Sequence, residues 1–359
     1  MFQKLAKAGQ TTQALSNRLG QAVMISGAGS AVGGWVELGR TTLGSAGDTI
    51  DISSLPDKRY YMILADFIAD GRLDPRLTFN ADTGSNYSQR TSFNGGSDST
   101  AVNLTSISGA SRQAGGTNMF GFYYISNVSS KEKLLKHWWA NTHAGAGAGT
   151  APERTEWTAK WANTSNAIDQ VTSTNADTGD FNTDSEIVVL GWSPDDEDTG
   201  GFWEELASVE LTGTADTISS GTITAKKYLW IQFYQKSSGA CNIQMTFNND
   251  TGSNYARRGN NDGGSDFTST SASSLQFQTS DTDSAHYFDM FIVNNSANEK
   301  LGISHGVTQN TAGADTSPQR KEQVHKWANT SAQITEIDID NTDGGDYASG
   351  TILKVWGHD

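Results

Sequence analysis

Apolar residues along this chain gather in short runs, each closed by Gly, Asn, Asp or Ser. Segments 59–67 and 227–235, rich in Tyr, Ile, Leu, Phe and Trp, and segments 119–128 and 287–293 of similar make-up, predict four central strands. Segments 187–191 and 352–357 predict closing strands, and Ile337 and Ile339 alternate with acids as a half-exposed strand does. Helical periodicity is confined to residues 2–24. There Leu15, Leu19 and Val23 fall at i, i+4 and i+8, Phe2 and Leu5 extend a second stripe, and Gly9 interrupts the pattern. Gly27, Gly29, Gly33 and Gly34 end it. Short strands between Gly, Asn, Asp, Ser and Thr turns predict an all-β fold of antiparallel β-sandwich or jelly-roll type, preceded by an N-terminal helical arm.

The pattern occurs twice. Phe79-Asn80-Ala81-Asp82-Thr83-Gly84-Ser85-Asn86-Tyr87 returns 168 residues later as Phe247-Asn248-Asn249-Asp250-Thr251-Gly252-Ser253-Asn254-Tyr255, with Arg90 and Arg258 following each copy. Asp48-Thr49-Ile50 answers Asp216-Thr217-Ile218 at the same spacing, Glu132-Lys133-Leu134 answers Glu299-Lys300-Leu301 at 167, and the string from Lys160 to Ser165 answers that from Lys326 to Ser331 at 166. Solenoid units are about 20 to 50 residues long, so a repeat of this length is a whole domain. The expected organisation is an arm at 1–34, a first sandwich module at 35–193, a solvated linker at 194–201 rich in acids and glycine, and a second module at 202–359. The module length suits eight strands with decorated loops better than an immunoglobulin domain of about 100 residues.

Charge narrows the partners. Lys4, Lys7 and Arg18 stand in residues 1–34 with no acid, so the formal charge of −15 for the chain leaves −18 on the rest. A body this acidic excludes nucleic acid, whose phosphates need a basic surface. No run of about 18 apolar residues predicts a membrane insertion, and the N-terminus lacks the continuous apolar stretch of an export signal. The single cysteine, Cys241, has no partner within the chain and is expected in the core.

The chemistry-bearing motifs favour structure over turnover. The six histidines form no His-Glu-x-x-His arrangement and no Gly-x-Ser-x-Gly elbow occurs. Charges repeated in both copies, Arg90/Arg258, Asp98/Asp266, Arg154/Arg320 and Glu156/Glu322, are expected to lock loops, because a catalytic set seldom stays intact in both halves of a duplication. The chain is therefore expected not to be an enzyme and to need no cofactor. The Asn-x-Asp-Thr-Gly-Ser-Asn strings are expected to be tight turns, with a structural calcium ion as the alternative.

The copies differ most at His137, Trp138, Trp139, Trp157 and the Gly-Ala run at 144–149. Adjacent residues of a strand point to opposite faces, so one of Trp138 and Trp139 is expected to look outward, where it can stack on a glycan or a partner protein. Cover by a neighbouring loop is the alternative.

The phrases Gly34-Trp35-Val36-Glu37-Leu38-Gly39-Arg40-Thr41-Thr42, Phe-Asn-x-Asp-Thr-Gly-Ser-Asn-Tyr-x-x-Arg and Lys-Trp-Ala-Asn-Thr-Ser resemble modules in structural proteins of tailed bacteriophages. The resemblance spans residues 35–359 and implies a virion component, assembled in the host cytoplasm, with no catalytic residues to carry over. On that reading Phe2, Lys4, Leu5, Lys7, Leu15, Arg18, Leu19 and Val23 anchor the chain to capsid or tail proteins. The modules then decorate the particle as a homo-oligomer, a trimer being one such form. The alternative is a carbohydrate-binding module or the receptor-binding tip of a fibre, directed at a host surface glycan.

Overall fold

The structure is a computed structural model and describes residues 34–69, 71–109, 118–142, 145–196, 201–277, 281–282, 285–309 and 313–359. The expected helical arm and its eight anchoring residues lie outside these. The first copy holds β1 (Val36–Thr42), β2 (Thr49–Ile52), β3 (Tyr60–Ile68), β4 (Pro75–Phe79), β5 (Tyr87–Phe93), β6 (Ser99–Leu104), β7 (Ile107–Ser108), β8 (Asn118–Ser126), β9 (Lys133–Asn141), β10 (Glu153–Trp161), β11 (Val171–Asn175) and β12 (Glu186–Trp192). The second holds β13 (Glu204–Glu210), β14 (Thr217–Ser219), β15 (Tyr228–Gln235), β16 (Ala240–Cys241), β17 (Ile243–Phe247), β18 (Tyr255–Asn261), β19 (Phe267–Ala272), β20 (Leu275–Gln276), β21 (Asp281–Thr282), β22 (His286–Val293), β23 (Lys300–Thr308), β24 (Gln319–Trp327), β25 (Ile337–Asn341) and β26 (Ile352–His358).

Among the described residues the fold is all-β. An eight-stranded sheet, β1-β12-β3-β8-β9-β10-β5-β6, and a four-stranded sheet, β2-β11-β4-β7, form the first copy. The second repeats both orders strand for strand as β13-β26-β15-β22-β23-β24-β18-β19 and β14-β25-β17-β20, adding only the short β16-β21 pair. Each copy thus has at least twelve strands rather than eight. The extra ones include β5, β6 and β19, whose Ser, Thr, Arg and Gln residues lack the apolar alternation by which a strand is read from sequence.

One face of each large sheet packs on its small sheet. Ile63, Phe67, Phe79, Trp139, Trp161 and Phe181 fill the first core, and Ile231, Phe233, Phe247, Trp327, Tyr347 and the buried Cys241 fill the second. The repeated string closes each core in the same way. Asn80-Ala81 and Asn248-Asn249 all have positive φ between 51° and 55°, which makes a type I′ β-turn where the chain passes from the small sheet to the large one. The carboxylate of Asp82 then accepts from Gly84 N (2.9 Å), Asn86 Nδ2 (2.9 Å) and Trp161 Nε1 (2.7 Å). Asp250 accepts from Gly252, Asn254 and Trp327 at the same three distances. Burial alone would raise the Asp82 carboxyl, but these donors hold it below its ordinary value. Both carboxylates therefore serve as turn locks. Among the described residues no three His, Cys, Asp or Glu side chains gather as a metal site would need.

The other faces of the two large sheets pack against each other. Met62, Leu64, Phe120, Phe122, Val188 and Leu190 of the first meet Tyr228, Phe291, Val293, Leu301, Ile303 and Val324 of the second in a third apolar cluster. The connection between copies is tied at both ends. Asp196 pairs with Lys58 at 2.5 Å, Phe202 N donates to Trp35 O at 2.7 Å, and Phe202 and Trp203 are buried in the seam.

Candidate functional site

Strand pairing fixes which residues of the two copies are counterparts. Tyr60 lies opposite Ser126 and Tyr228 opposite Val293, so Phe120, Phe122, Tyr124 and Ser126 correspond to Tyr287, Asp289, Phe291 and Val293. By the same register Trp138 corresponds to His305. These two rings meet across the seam at 4.7 Å. A residue that contacts its own counterpart marks an approximate two-fold relation between the copies.

The two ends of this two-fold seam differ. At one end Phe120 meets Tyr228 and Phe122 meets Phe291, with centroids 6.4 and 4.7 Å apart. Tyr228 Oη donates to Glu186 (2.8 Å), Asn295 Nδ2 donates to Asp66 (2.6 Å), and Lys227 pairs with both carboxylates at 3.2 and 3.4 Å. Burial alone would raise Glu186, but Lys227, Thr42, Tyr228 and Arg40 hold its carboxyl below its ordinary value, whereas burial prevails at Asp66 and raises it. The loop before β10 clasps the second copy. Lys326 Nζ donates to Gly145 O (3.0 Å), Ser271 N to Ala148 O (2.7 Å), Arg258 Nε to Pro152 O (2.9 Å), and Gly147 N to Glu299. Arg154 pairs with Asp266 at 2.7 Å, both 3% exposed, and also with Glu156.

At the other end the counterparts have changed. Asp66 and Glu186 become Tyr234 and Ile352, and Phe122 becomes Asp289. Arg90–Asp98 is a solvent-exposed pair at 3.3 Å, and Arg320 stays on Glu322 within its own copy. Here, among the described residues, the first large sheet is left open as a trough of about 840 Å³.

Two cross-strand rows floor it. The register Leu190, Met62, Tyr124, Lys136, Thr158, Arg90, Thr100 makes one row, and Trp192, Tyr60, Ser126, Leu134, Lys160, Ser88 the other. The matching row of the second copy reads Trp356, Trp230, Phe291, Ile303, Val324, Arg258, Thr268 and is largely buried in the seam. Lys136, Thr158 and Ser126 thus stand where the covered copy has Ile303, Val324 and Val293. Leu134 is 59% exposed, whereas its counterpart Leu301 is fully buried.

The trough is aromatic at one end and cationic at the other. Tyr60 and Trp192 stack at 5.5 Å with a 17° interplanar angle, and Trp35 lies 6.2 Å from Tyr124. Lys136 Nζ sits over the rings of Tyr124 and Trp138 at 5.4 and 5.1 Å. Arg90 and Lys160 complete the basic end, and none of the described lining residues is Asp or Glu. Lys160 is paired with Glu132 at 2.9 Å, while Lys136 has no ion pair among the described residues.

The residues singled out from sequence sit elsewhere. Trp139 is wholly buried in the first core, and Trp138 is half-buried in the seam against Phe122 and His305. Trp138, on the outer face as expected of one of the two tryptophans, is partly exposed. Opposite faces are indeed used, and the outer one is partly covered by the second copy at that point. His137 is fully buried, stacked on Tyr123 at 4.5 Å and accepting from Trp139 Nε1, and Trp157 is buried beside it. His137, Trp139 and Trp157 have no surface on which a sugar can stack, whereas Trp138 keeps part of its outer-face surface. The Gly-Ala run, where described, is the clasp on the second copy. Of the repeated charges, Arg154 and Asp266 lock one copy to the other and not a loop within a copy.

Fold and site together define a doubled antiparallel β-sandwich with one open, aromatic and basic trough. No protein-family model matches the sequence, and no curated protein matches it. Among solved structures, domains LG4-5 of the mouse laminin alpha1 chain are 9% identical over 92% of this chain and 90% of that one, with a TM-score of 0.18. The LG1-3 region of the laminin alpha2 chain is 8% identical over 86% and 64%, at 0.19. The attachment invasion locus protein Ail of Yersinia pestis is 6% identical over 76% and 99%, at 0.13. Likenesses this distant carry no weight for function.

Proposed function

We propose that this chain is a non-enzymatic structural protein of a tailed-phage particle, displayed as capsid decoration or fibre and anchored by residues 1–34. The observation that carries this reading is the seam. Two β-sandwiches share one apolar interface reinforced by buried ion pairs, which supports a stiff body of the kind that display requires. The charge contrast between a basic arm and a body of −18 suits docking by one end with the other held out in solution. Self-association as a homo-oligomer, with a trimer as one form, and contact with capsid or tail proteins belong to the same reading. The test is deletion of residues 2–24. Particles purified from cells expressing the deletion should lack the protein while its circular dichroism stays that of a folded β protein, and normal incorporation refutes the anchor.

A second reading, recognition of a glycan by a fibre tip or carbohydrate-binding module, is favoured by the open trough.

A further inference from the structure

We propose that the trough on the first large sheet binds an acidic oligosaccharide in extended form, lying across the strands from Trp192 to Arg90. The inference rests on the recognition reading and not on the particle anchor, so binding and incorporation fail or succeed separately. Its length comes from the fold. The floor crosses seven strands, β12 to β6, which at about 4.7 Å per step is roughly 28 Å. A compact ligand would leave most of that floor bare, whereas an extended chain contacts it throughout.

The chemistry along the floor matches such a chain. Trp192, Tyr60, Trp35 and Tyr124 offer flat apolar plates with polar edges, which suit the C–H faces of sugar rings. Ser88, Thr100, Ser126 and Thr158 supply hydroxyls that both donate and accept, as a sugar's own hydroxyls require. Lys136, which has no ion pair among the described residues, supplies positive charge, backed by Arg90 and Lys160, whose partners Asp98 and Glu132 are half-exposed and lie outside the described lining. A neutral glycan makes no use of those cations; carboxylate or sulfate groups do.

The duplication supplies an internal control. Where the second copy is covered by protein, the same row carries Ile303 and Val324; where the first is open, it carries Lys136 and Thr158. Another copy of this chain is a poorer occupant. Filling the trough by the seam's own two-fold logic would bury Lys136 against apolar side chains, which costs more than it returns.

The experiment applies the full-length protein to a glycan array holding sialylated, uronate-containing, sulfated and neutral glycans. Titration with hexagalacturonate and with maltohexaose follows, read by tryptophan fluorescence. Acidic glycans should be retained above neutral ones, with hexagalacturonate affinity falling as sodium chloride rises from 50 to 500 mM. Lys136→Ile with Thr158→Val, which copies the covered row, should weaken binding by roughly tenfold or more, the scale of one lost charge-assisted hydrogen bond. Trp192→Ala should weaken it through the aromatic end. The proposal falls if no acidic glycan is retained, if maltohexaose binds equally well, or if the Lys136/Thr158 variant binds as the parent does. A concentration-dependent dimer that Trp192→Ala abolishes would assign the trough to a second copy and also overturn it.

Discussion

Asp98 and Asp266 occupy the same position of the repeat, and the structure assigns them opposite energetic roles. Asp266 is 3% exposed and faces an equally buried Arg154 across the seam at 2.7 Å. Asp98 is 51% exposed and faces Arg90, 58% exposed, at 3.3 Å. Removing one partner of a buried pair typically costs about 3–5 kcal/mol, because the surviving charge stays desolvated. Arg154 keeps Glu156, and Glu322 at 3.7 Å, so Asp266→Ala should cost less than that range, about 2–3 kcal/mol. Asp98→Ala breaks an exposed pair worth well under 1 kcal/mol, because solvent screens both charges and will rehydrate Arg90. Urea unfolding at 25 °C, followed by tryptophan fluorescence, reads both costs as midpoint shifts. A double-mutant cycle with Arg154→Met and one with Arg90→Met separate the pair terms from general damage, and the coupling should exceed about 1.5 kcal/mol only in the first. Equal costs for the two aspartates, or a larger cost at Asp98, would refute the view that one end of the seam is sealed and the other wet.

Two further outcomes follow from the same interior. His137, His286 and His325 are buried and His305 is half-buried in the seam, and desolvation pushes each down to about 3, helped by Lys321 at His286, by Lys136, Arg154 and Arg320 at His305, and by Arg257 at His325. Below pH 6.5 the unfolded chain takes up protons that the folded chain refuses, so stability present at neutral pH is lost as pH falls from about 6 toward 3. Each histidine contributes up to about 1.4 kcal/mol per pH unit; Asp289, held up at about 6 by burial, and Asp66, also raised, work in the opposite sense. A net slope of roughly 3 kcal/mol per pH unit between pH 6 and 4 is expected from urea titrations at stepped pH, and a flat profile there contradicts it. Gly179→Ala tests a different contact: a Cβ there would meet Gly71 C and Arg72 N at 2.4 and 2.5 Å, backbone atoms that cannot swing aside. A loss of about 1–3 kcal/mol in the same urea assay is expected, whereas Gly213→Ala, with open space around it, should be nearly silent.

Much of the sandwich was readable from sequence because strands buried on both faces appear as near-continuous apolar runs. Residues 60–68 and 228–235 are of this kind. The string around Asp82 was readable as a turn, since Asn and Asp tolerate the left-handed region that its two central residues adopt. What could not be read was the cover on the second face of each sheet. Trp138 and Trp139 alternate as strand residues must, but alternation says nothing about a second sheet lying over the outer face. Strands such as β6, with only Ala101 and Leu104 half-buried, carry too few apolar residues to register at all. The trough did leave a trace in the aligned copies: Lys136 against Ile303, Thr158 against Val324 and Ser126 against Val293 are polar-for-apolar exchanges confined to one face. A comparison of the copies by polarity rather than by aromatic content points to that face directly.

A pair of identical subunits meeting about a true two-fold axis must treat both extremities of their contact alike, since every substitution enters twice. Joining the halves in one polypeptide removes that obligation. Asp66, Glu186 and Phe122 could appear in the first half alone, and Lys136 and Thr158 could stand there where the second half has Ile303 and Val324. Gene duplication here is thereby the precondition for asymmetry: it lets a self-complementary surface remain permanently occupied along one edge and stay exposed along the other.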